Sequence, residues 1–160
     1  AAILSRLLAL AAFPLLLAVS PARADSLARV VSVHDGDTLT VLIERRQVKV
    51  RLTDIDAPEL RQPFGTRSKQ SLSDLCIGKL ALLDVRGQDR YQRAIAQVTC
   101  EGRDANAEQV RRGYAWIYTR YAPADSPLFA MQNEARSAHR GLWSDPNPVP
   151  PWDWRRNGSH

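Results

Sequence analysis

The strongest constraint in this chain is an alternation of polar and apolar residues on either side of a short basic turn. Residues 38–44 alternate and read as one strand, Arg45 and Arg46 mark a turn, and residues 47–52 alternate again. In the second run Val48, Val50 and Leu52 fall on one face, with Lys49 and Arg51 on the other. Side chains of a strand point to opposite faces in turn, so one face meets a core and the other meets solvent or a ligand. Upstream, residues 27–33 are β-prone, and Asp35-Gly36-Asp37 supplies the turn that joins them to the hairpin. The first third is therefore predicted to be a three-stranded meander.

Downstream the period changes. Residues 54–63 form a loop, because Pro58 and Pro63 block regular structure. Residues 66–77 are predicted helical, with Leu72, Leu75 and Cys76 on one face and Gly78 as a stop. Residues 79–86 and 93–99 read as a fourth and a fifth strand across the polar stretch 87–92. Glu101-Gly102 is a turn, and a second helix runs from Asp104 to Arg112 and ends at Gly113. Ser126-Pro127 starts a third that reaches about Arg140, its apolar positions including Leu128, Met131, Ala135 and Ala138. From Asp145 the chain is rich in Pro and Trp and reads as an irregular tail pinned by Trp143 and Trp152. This order of elements predicts an α+β fold built on a small closed β-barrel. A barrel of the OB type fits, and such barrels commonly present one face to oligonucleotides.

The N-terminal segment stands apart. Arg6 precedes an apolar run from Leu7 to Val19, broken only by Pro14, and Ala22-Arg23-Ala24 follows. A basic flank, a short apolar stretch and a small-x-small site describe a secretory signal peptide cleaved after Ala24. The alternative is an uncleaved anchor, for which the run is short. No Cys follows the cleavage site, which argues against a lipoprotein. The organisation is then residues 1–24 as signal peptide, 25–144 as the folded domain and 145–160 as the tail. The protein is expected to be exported, periplasmic or extracellular, without stable membrane association, and monomeric. Cleavage removes Arg6 and Arg23 and lowers the net charge from +5 to +3. A basic balance suits polyanions such as nucleic acid or an anionic membrane surface. Outside the cytoplasm Cys76 and Cys100 are candidates for a disulfide; otherwise they are two buried free thiols. Their spacing does not fit a zinc site.

Chemistry concentrates in two loops. Asp37 ends the first turn, and Asp56 and Glu59 lie in the loop after the third strand, separated by Ala57-Pro58. Carboxylates from two adjoining loops, with a backbone carbonyl and waters, form an oxygen donor set of the kind that Ca²⁺ takes. The ladder of an EF-hand is absent. Turn-stabilising aspartates are the ordinary alternative. Arg51, near the end of the third strand, and Arg93, which opens the fifth, carry planar donor forks that match phosphate oxygens. Singly each reads as a solvated strand end; together with the acids they point to a phosphodiester. His34 and His139 take no role. The stretch 111–121 mixes Arg, Trp and Tyr and either lines a nucleotide groove or packs Trp116 and Ile117 into the core.

Taken in order, Asp35-Gly36-Asp37-Thr38, Arg51-Leu52-x-x-Ile55-Asp56-Ala57-Pro58-Glu59 and Asp89-Arg90-Tyr91-Gln92-Arg93 resemble the motifs of the staphylococcal nuclease family. With Asn106, residues 110–115 and Arg140-Gly141-Leu142-Trp143 the resemblance runs from about Leu27 to Trp143, nearly all of the mature chain. The resemblance implies a five-stranded OB-fold barrel with three α-helices, Ca²⁺ as cofactor, and hydrolysis of DNA and RNA to 3′-phosphate products. It implies that Asp37, Asp56 and the Ala57 backbone carbonyl serve the metal. Glu59 then activates or orients the attacking water, and Arg51 and Arg93 bind the phosphate at the reaction centre. Arg90 and Tyr91 match positions that contact the terminal phosphate, and Tyr121 matches one of an aromatic pair that stacks a base. Two positions depart. Gln92 stands where a Gly is usual, so a positive φ there would strain it or reshape the loop. Thr119 stands where a second Tyr is expected, and Tyr118 is the available substitute. The rival readings are a nuclease-like nucleic-acid-binding module without catalysis, and an exported calcium-binding protein. The acid and arginine set, filled at all five positions, argues against the first, and Arg51 with Arg93 against the second.

Overall fold

Strand β2 (Thr38–Ile43) folds back on β3 (Arg46–Leu52) in the register Thr38 opposite Arg51 through Ile43 opposite Arg46. The computed structural model describes residues 26–158. The signal-peptide assignment, residues 1–24, lies outside the described residues. The hairpin turns at Glu44-Arg45, one residue earlier than Arg45-Arg46. Both turn residues have positive φ, 45° and 68°, as a two-residue type I′ turn requires to match the twist of its strands.

Strand β1 (Ser26–Val33) pairs antiparallel with β2 on one side and with β5 (Leu80–Gln88) on the other. Strand β6 (Ala94–Cys100) pairs antiparallel with β5 and parallel with β3. That parallel contact, with Val50 opposite Ala94 and Leu52 opposite Ala96, closes the order β3-β2-β1-β5-β6 into the five-stranded mixed barrel. Closure removes the free edges that an open sheet would present. Val30, Leu39, Val41, Val50, Leu52, Leu83 and Val98 are buried in its core, in agreement with the alternation. Three two-residue pieces escape period-based reading: β4 (Ile55–Asp56), β7 (Arg103–Asp104) and β8 (Trp116–Ile117).

Helix α1 (Gly65–Cys76) buries Leu72, Leu75 and Cys76 completely against the barrel. Each leucine contributes roughly 1.5–3 kcal/mol relative to an exposed position. Helix α2 (Ala105–Arg111) is capped by the Asp104 carboxylate, which accepts from the Ala107 N–H. Helix α3 (Leu128–Ser137) buries Leu128 and Ala135. Cys76 and Cys100 form a disulfide with Cα atoms 5.3 Å apart, which resolves the pair in favour of a bridge.

The tail is not irregular throughout. After a 3₁₀ turn, Gly141–Ser144, it forms a fourth short helix, α4 (Pro151–Arg156), with Pro at the first helical position. Pro there lacks only an N–H that would have no helical partner, and its fixed φ suits the helix. The pinning residues do act as pins. Trp143 is buried with Ala135 and Leu142 in a second cluster, and Trp152 packs on Tyr118 and Trp116.

Candidate active site

The β2–β3 register brings the ends of these strands together and so fixes the first two site residues. The Leu52 N–H donates to the Asp37 carbonyl at 2.8 Å, which sets Asp37 beside Arg51. The Arg51 guanidinium is anchored by its Nη1 to the Leu52 and Ile55 carbonyls at 2.7 and 2.9 Å. Its Nη2 lies 3.0 Å from Asp56 Oδ1 and 3.3 Å from Asp37 Oδ2. Asp56 is held by the antiparallel β4–β8 pairing, opposite Trp116. Ala57 closes the cluster: its N–H donates to Asp37 Oδ2 at 2.6 Å. Both carboxylates are buried, 5% and 2% exposed, so the arginine that bridges them offsets a repulsion that water cannot screen. Burial pushes the Asp56 carboxyl up from its ordinary range, and the hydrogen bond from Arg155 and the charge of Arg51 oppose it only partly.

The turn before Asp37 is fixed by contacts, not by composition alone. Gln109, fully buried on α2, donates from Nε2 to the Gly36 carbonyl at 2.7 Å and to the Ser68 carbonyl at 3.0 Å. A Cβ on Gly36 would fall 1.7 Å from Ser68 Oγ and 2.7 Å from Ala57 Cβ. Gly36→Ala is therefore expected to destabilise the protein by about 1–3 kcal/mol as an overpacked site. It should also displace Asp37, giving a lower melting temperature together with lower activity at temperatures where the variant is folded. Asp35 shares this turn. Its Oδ1 accepts from the Asp37 N–H at 3.0 Å, and burial with the neighbouring Asp37 raises its carboxyl to about 7.

Arg93 enters from the other side of the barrel seam, because the parallel β3–β6 pairing sets Ile95 opposite Arg51. Asp89 clamps it: Oδ1 accepts from the backbone N–H groups of Tyr91 and Arg93 at 2.9 and 3.0 Å, and Oδ2 accepts from Arg93 Nε at 2.7 Å. Slight burial pushes the Asp89 carboxyl up, but these hydrogen bonds outweigh it and hold the group below its ordinary range. Arg93 Nη1 reaches Thr38 Oγ1 at 3.5 Å, and Thr38 donates to Asp37 Oδ1 at 3.0 Å. Gln92 does adopt positive φ, 62°, and the loop keeps its shape around it through the bonds to Asp89. An L residue held in that region costs on the order of 1–2 kcal/mol. Glycine would remove this but lose more chain entropy on folding. Gln92→Gly is expected to stabilise by roughly 0.5–1 kcal/mol, read as a small rise in melting temperature with activity retained.

Glu59 is reached through the tail. Arg155 on α4 sets Nη2 2.7 Å from Asp56 Oδ2, Nη1 3.3 Å from Asp56 Oδ1 and Nη1 2.7 Å from Glu59 Oε1. The five residues singled out as catalytic or metal-binding side chains, Asp37, Arg51, Asp56, Glu59 and Arg93, therefore form one continuous polar network completed by Thr38 and Arg155. Arg90 and Tyr91 stand exposed beside it. Arg90 donates to the Tyr91 hydroxyl at 2.7 Å, and the Tyr91 ring faces the Arg93 guanidinium at 5.6 Å. Tyr121 does not touch the network. Its ring meets Tyr118 edge-on at 5.0 Å, and Tyr118 in turn stacks on Trp152 at 5.5 Å and 5°. Thr119 is exposed. Asp35 and Thr38 lie in the quoted motif without a role of their own, and Gln109 and Arg155 were not singled out from sequence. The sequence signal for Gln109 was a polar side chain on the core face of a short helix.

The donor chemistry suits a hard divalent cation: Asp37 and Asp56 offer buried carboxylate oxygens, with the Ala57 peptide against them. Among the described residues no three Asp, Glu, His or Cys side chains converge as a ready metal cage. Any further oxygens must come from the backbone, from water or from a repositioned Glu59.

This geometry has relatives. A family model described as "Staphylococcal nuclease homologue" matches residues 49–145, a span that carries Arg51, Asp56, Glu59 and Arg93. The chain belongs to the staphylococcal nuclease family. It is similar to a micrococcal nuclease of Shigella flexneri, 40% identical over 163 aligned positions covering 96% of this chain and 94% of that one. It is equally similar to a protein named ParB from Escherichia coli, 40% identical over 162 positions, 95% of this chain and 92% of that one. An endonuclease of Haemophilus influenzae is 46% identical over 129 positions, 80% of this chain and 72% of that one. As a member of the staphylococcal nuclease family the chain is a nuclease, a hydrolase of the endonuclease type, and nucleic acid is its class of substrate.

Proposed function

We propose that this nuclease hydrolyses phosphodiester bonds of both DNA and RNA without sequence preference, uses Ca²⁺, and releases 3′-phosphate products. The observation that carries the reading is the Arg51 bridge between the buried Asp37 and Asp56, with Arg93 joined to the same cluster through Thr38. Asp37 and Asp56 would hold the ion, with the Ala57 backbone beside them. Bound there, Ca²⁺ supplies a fixed positive charge against a phosphoryl oxygen. Arg51 and Arg93 donate to the non-bridging oxygens, where negative charge builds as water attacks phosphorus. Glu59 accepts a proton from that water or orients it, and the P–O5′ bond breaks. Arg90 and Tyr91 contact a neighbouring phosphate, and Tyr118 with Tyr121 offers ring faces to a base.

Export fits the same picture. A disulfide of this kind forms and persists in oxidising compartments. We propose a periplasmic or extracellular location, with cleavage after Ala24 and a monomeric state as the sequence suggests.

The test is degradation of DNA and of RNA in gel, with Ca²⁺ and with chelator, followed by end-group analysis. Both substrates should be lost only with Ca²⁺, with phosphate on the 3′ ends. Glu59→Gln should reduce the rate on the order of 10²–10⁴, the range of a lost general base, with the fold unchanged by circular dichroism. Equal degradation in chelator, or a fully active Glu59→Gln variant, would overturn the assignment.

A further inference from the structure

The tail helix α4 puts two unlike side chains on one face, Trp152 and Arg155, three residues apart and so neighbours on the helix surface. Each lands on a different part of the site. Arg155 lies across Asp56 and Glu59 with three contacts of 2.7–3.3 Å. Trp152 lies flat on Tyr118, the rings 5.5 Å apart and nearly parallel. A guanidinium thus stands at a carboxylate that would hold a divalent cation, and an indole stands on a ring face that would take a base.

The segment is built to reach that position. Residues 148, 150 and 151 are prolines, which fix φ and leave a stiff connection with little entropy to lose on docking. Gln62 Nε2 donates to the Val149 carbonyl at 2.6 Å, and Pro151 is buried. The docking is also incomplete. Arg155 is itself 39% exposed, while Asp56 is 2% exposed. The carboxylate is therefore part of the folded core, and its cationic partner is the piece that can leave.

We propose that residues 148–156 form an autoinhibitory strap, in which Arg155 takes the place of the metal ion at Asp56 and holds Glu59, while Trp152 takes the place of a nucleobase on Tyr118. The inference rests on the reading of Asp37, Asp56 and Glu59 as the metal and water-activating groups. Metal and strap compete for one carboxylate, so binding of either weakens the other by the same factor. Apparent metal affinity is reduced by the fraction of molecules with the strap docked.

Ca²⁺ binding measured by calorimetry on the wild-type chain, Arg155→Gln and Trp152→Ala tests this. Both variants should bind Ca²⁺ on the order of tenfold more tightly. Trp152→Ala is the deciding one, because it changes no charge and touches no carboxylate. In the wild type, Ca²⁺ should also alter the near-ultraviolet circular dichroism of the Trp152–Tyr118 stack, and Trp152→Ala should lack that change. Tighter binding in Arg155→Gln alone would reduce Arg155 to a local charge effect and overturn the strap. Equal affinity in all three proteins would overturn it while leaving the metal site standing. No Ca²⁺ binding in any of the three would overturn the site assignment and the strap with it.

Discussion

Arg51→Ala is expected to lower the hydrolysis rate by on the order of 10²–10³, the usual loss for one donor aimed at developing negative charge. The side chain does two jobs that alanine removes together. Toward substrate, on the proposed reading, it holds a fixed guanidinium for a phosphoryl oxygen. Toward the protein, it anchors on the Leu52 and Ile55 carbonyls and lies within 3.3 Å of both Asp37 and Asp56. Its removal leaves the buried Asp37 without its cation while Asp56 keeps only Arg155, and breaking a buried pair costs about 3–5 kcal/mol. The rate must therefore be read per folded molecule, with folding followed by circular dichroism. Arg51→Lys separates the two jobs. It keeps the charge but cannot reach two carbonyls and two carboxylates from one planar fork, so it should recover stability more fully than rate. A folded Arg51→Ala protein within a few-fold of wild-type activity would remove Arg51 from the reaction.

Much of this site was legible in the sequence because it is built on local register. Alternation over residues 38–52 fixes which face of the hairpin is buried. A hairpin whose register places Thr38 opposite Arg51 necessarily places Asp37 next to Arg51. The acids at 56 and 59 follow within the adjoining loop. Cys76 was visible on the core face of α1, and the bridge was one of two outcomes left open. What escaped reading has a common cause: the partner is far away in sequence and the segment too short to show a period. Strands β4 and β8 are two residues each, yet their pairing is what fixes Asp56. Gln109 serves Gly36 across 73 residues, and Arg155 meets Asp56 across 99. No local pattern reports such contacts. The Pro- and Trp-rich tail read as irregular for the same reason. Its helix is under two turns long and depends on Trp152 finding Tyr118 and Trp116, since isolated helices of that length are not stable in water.

Reduction of the Cys76–Cys100 bridge is expected to lower stability by about 3 kcal/mol without abolishing activity in the cold. The bond joins the last residue of α1 to the last residue of β6, 24 positions apart. Opening a loop of that length restores conformational freedom to the unfolded chain, and the chain-entropy relation gives this figure. For a domain of this size the melting temperature should fall by roughly 10 °C. Both cysteines are fully buried, so reduction leaves their packing almost unchanged and isolates the effect of the cross-link. The double variant Cys76→Ala/Cys100→Ala removes sulfur atoms as well and should melt lower than the reduced wild type. Activity should persist below the transition, because α1 meets the loop that carries Glu59 at its other end, where Gly65 lies against the Glu59 carbonyl. Thermal unfolding with and without reductant decides the matter. A reduced protein that melts within two or three degrees of the oxidised one would mean that barrel closure and the α1 contacts already restrict the ends that the bridge joins.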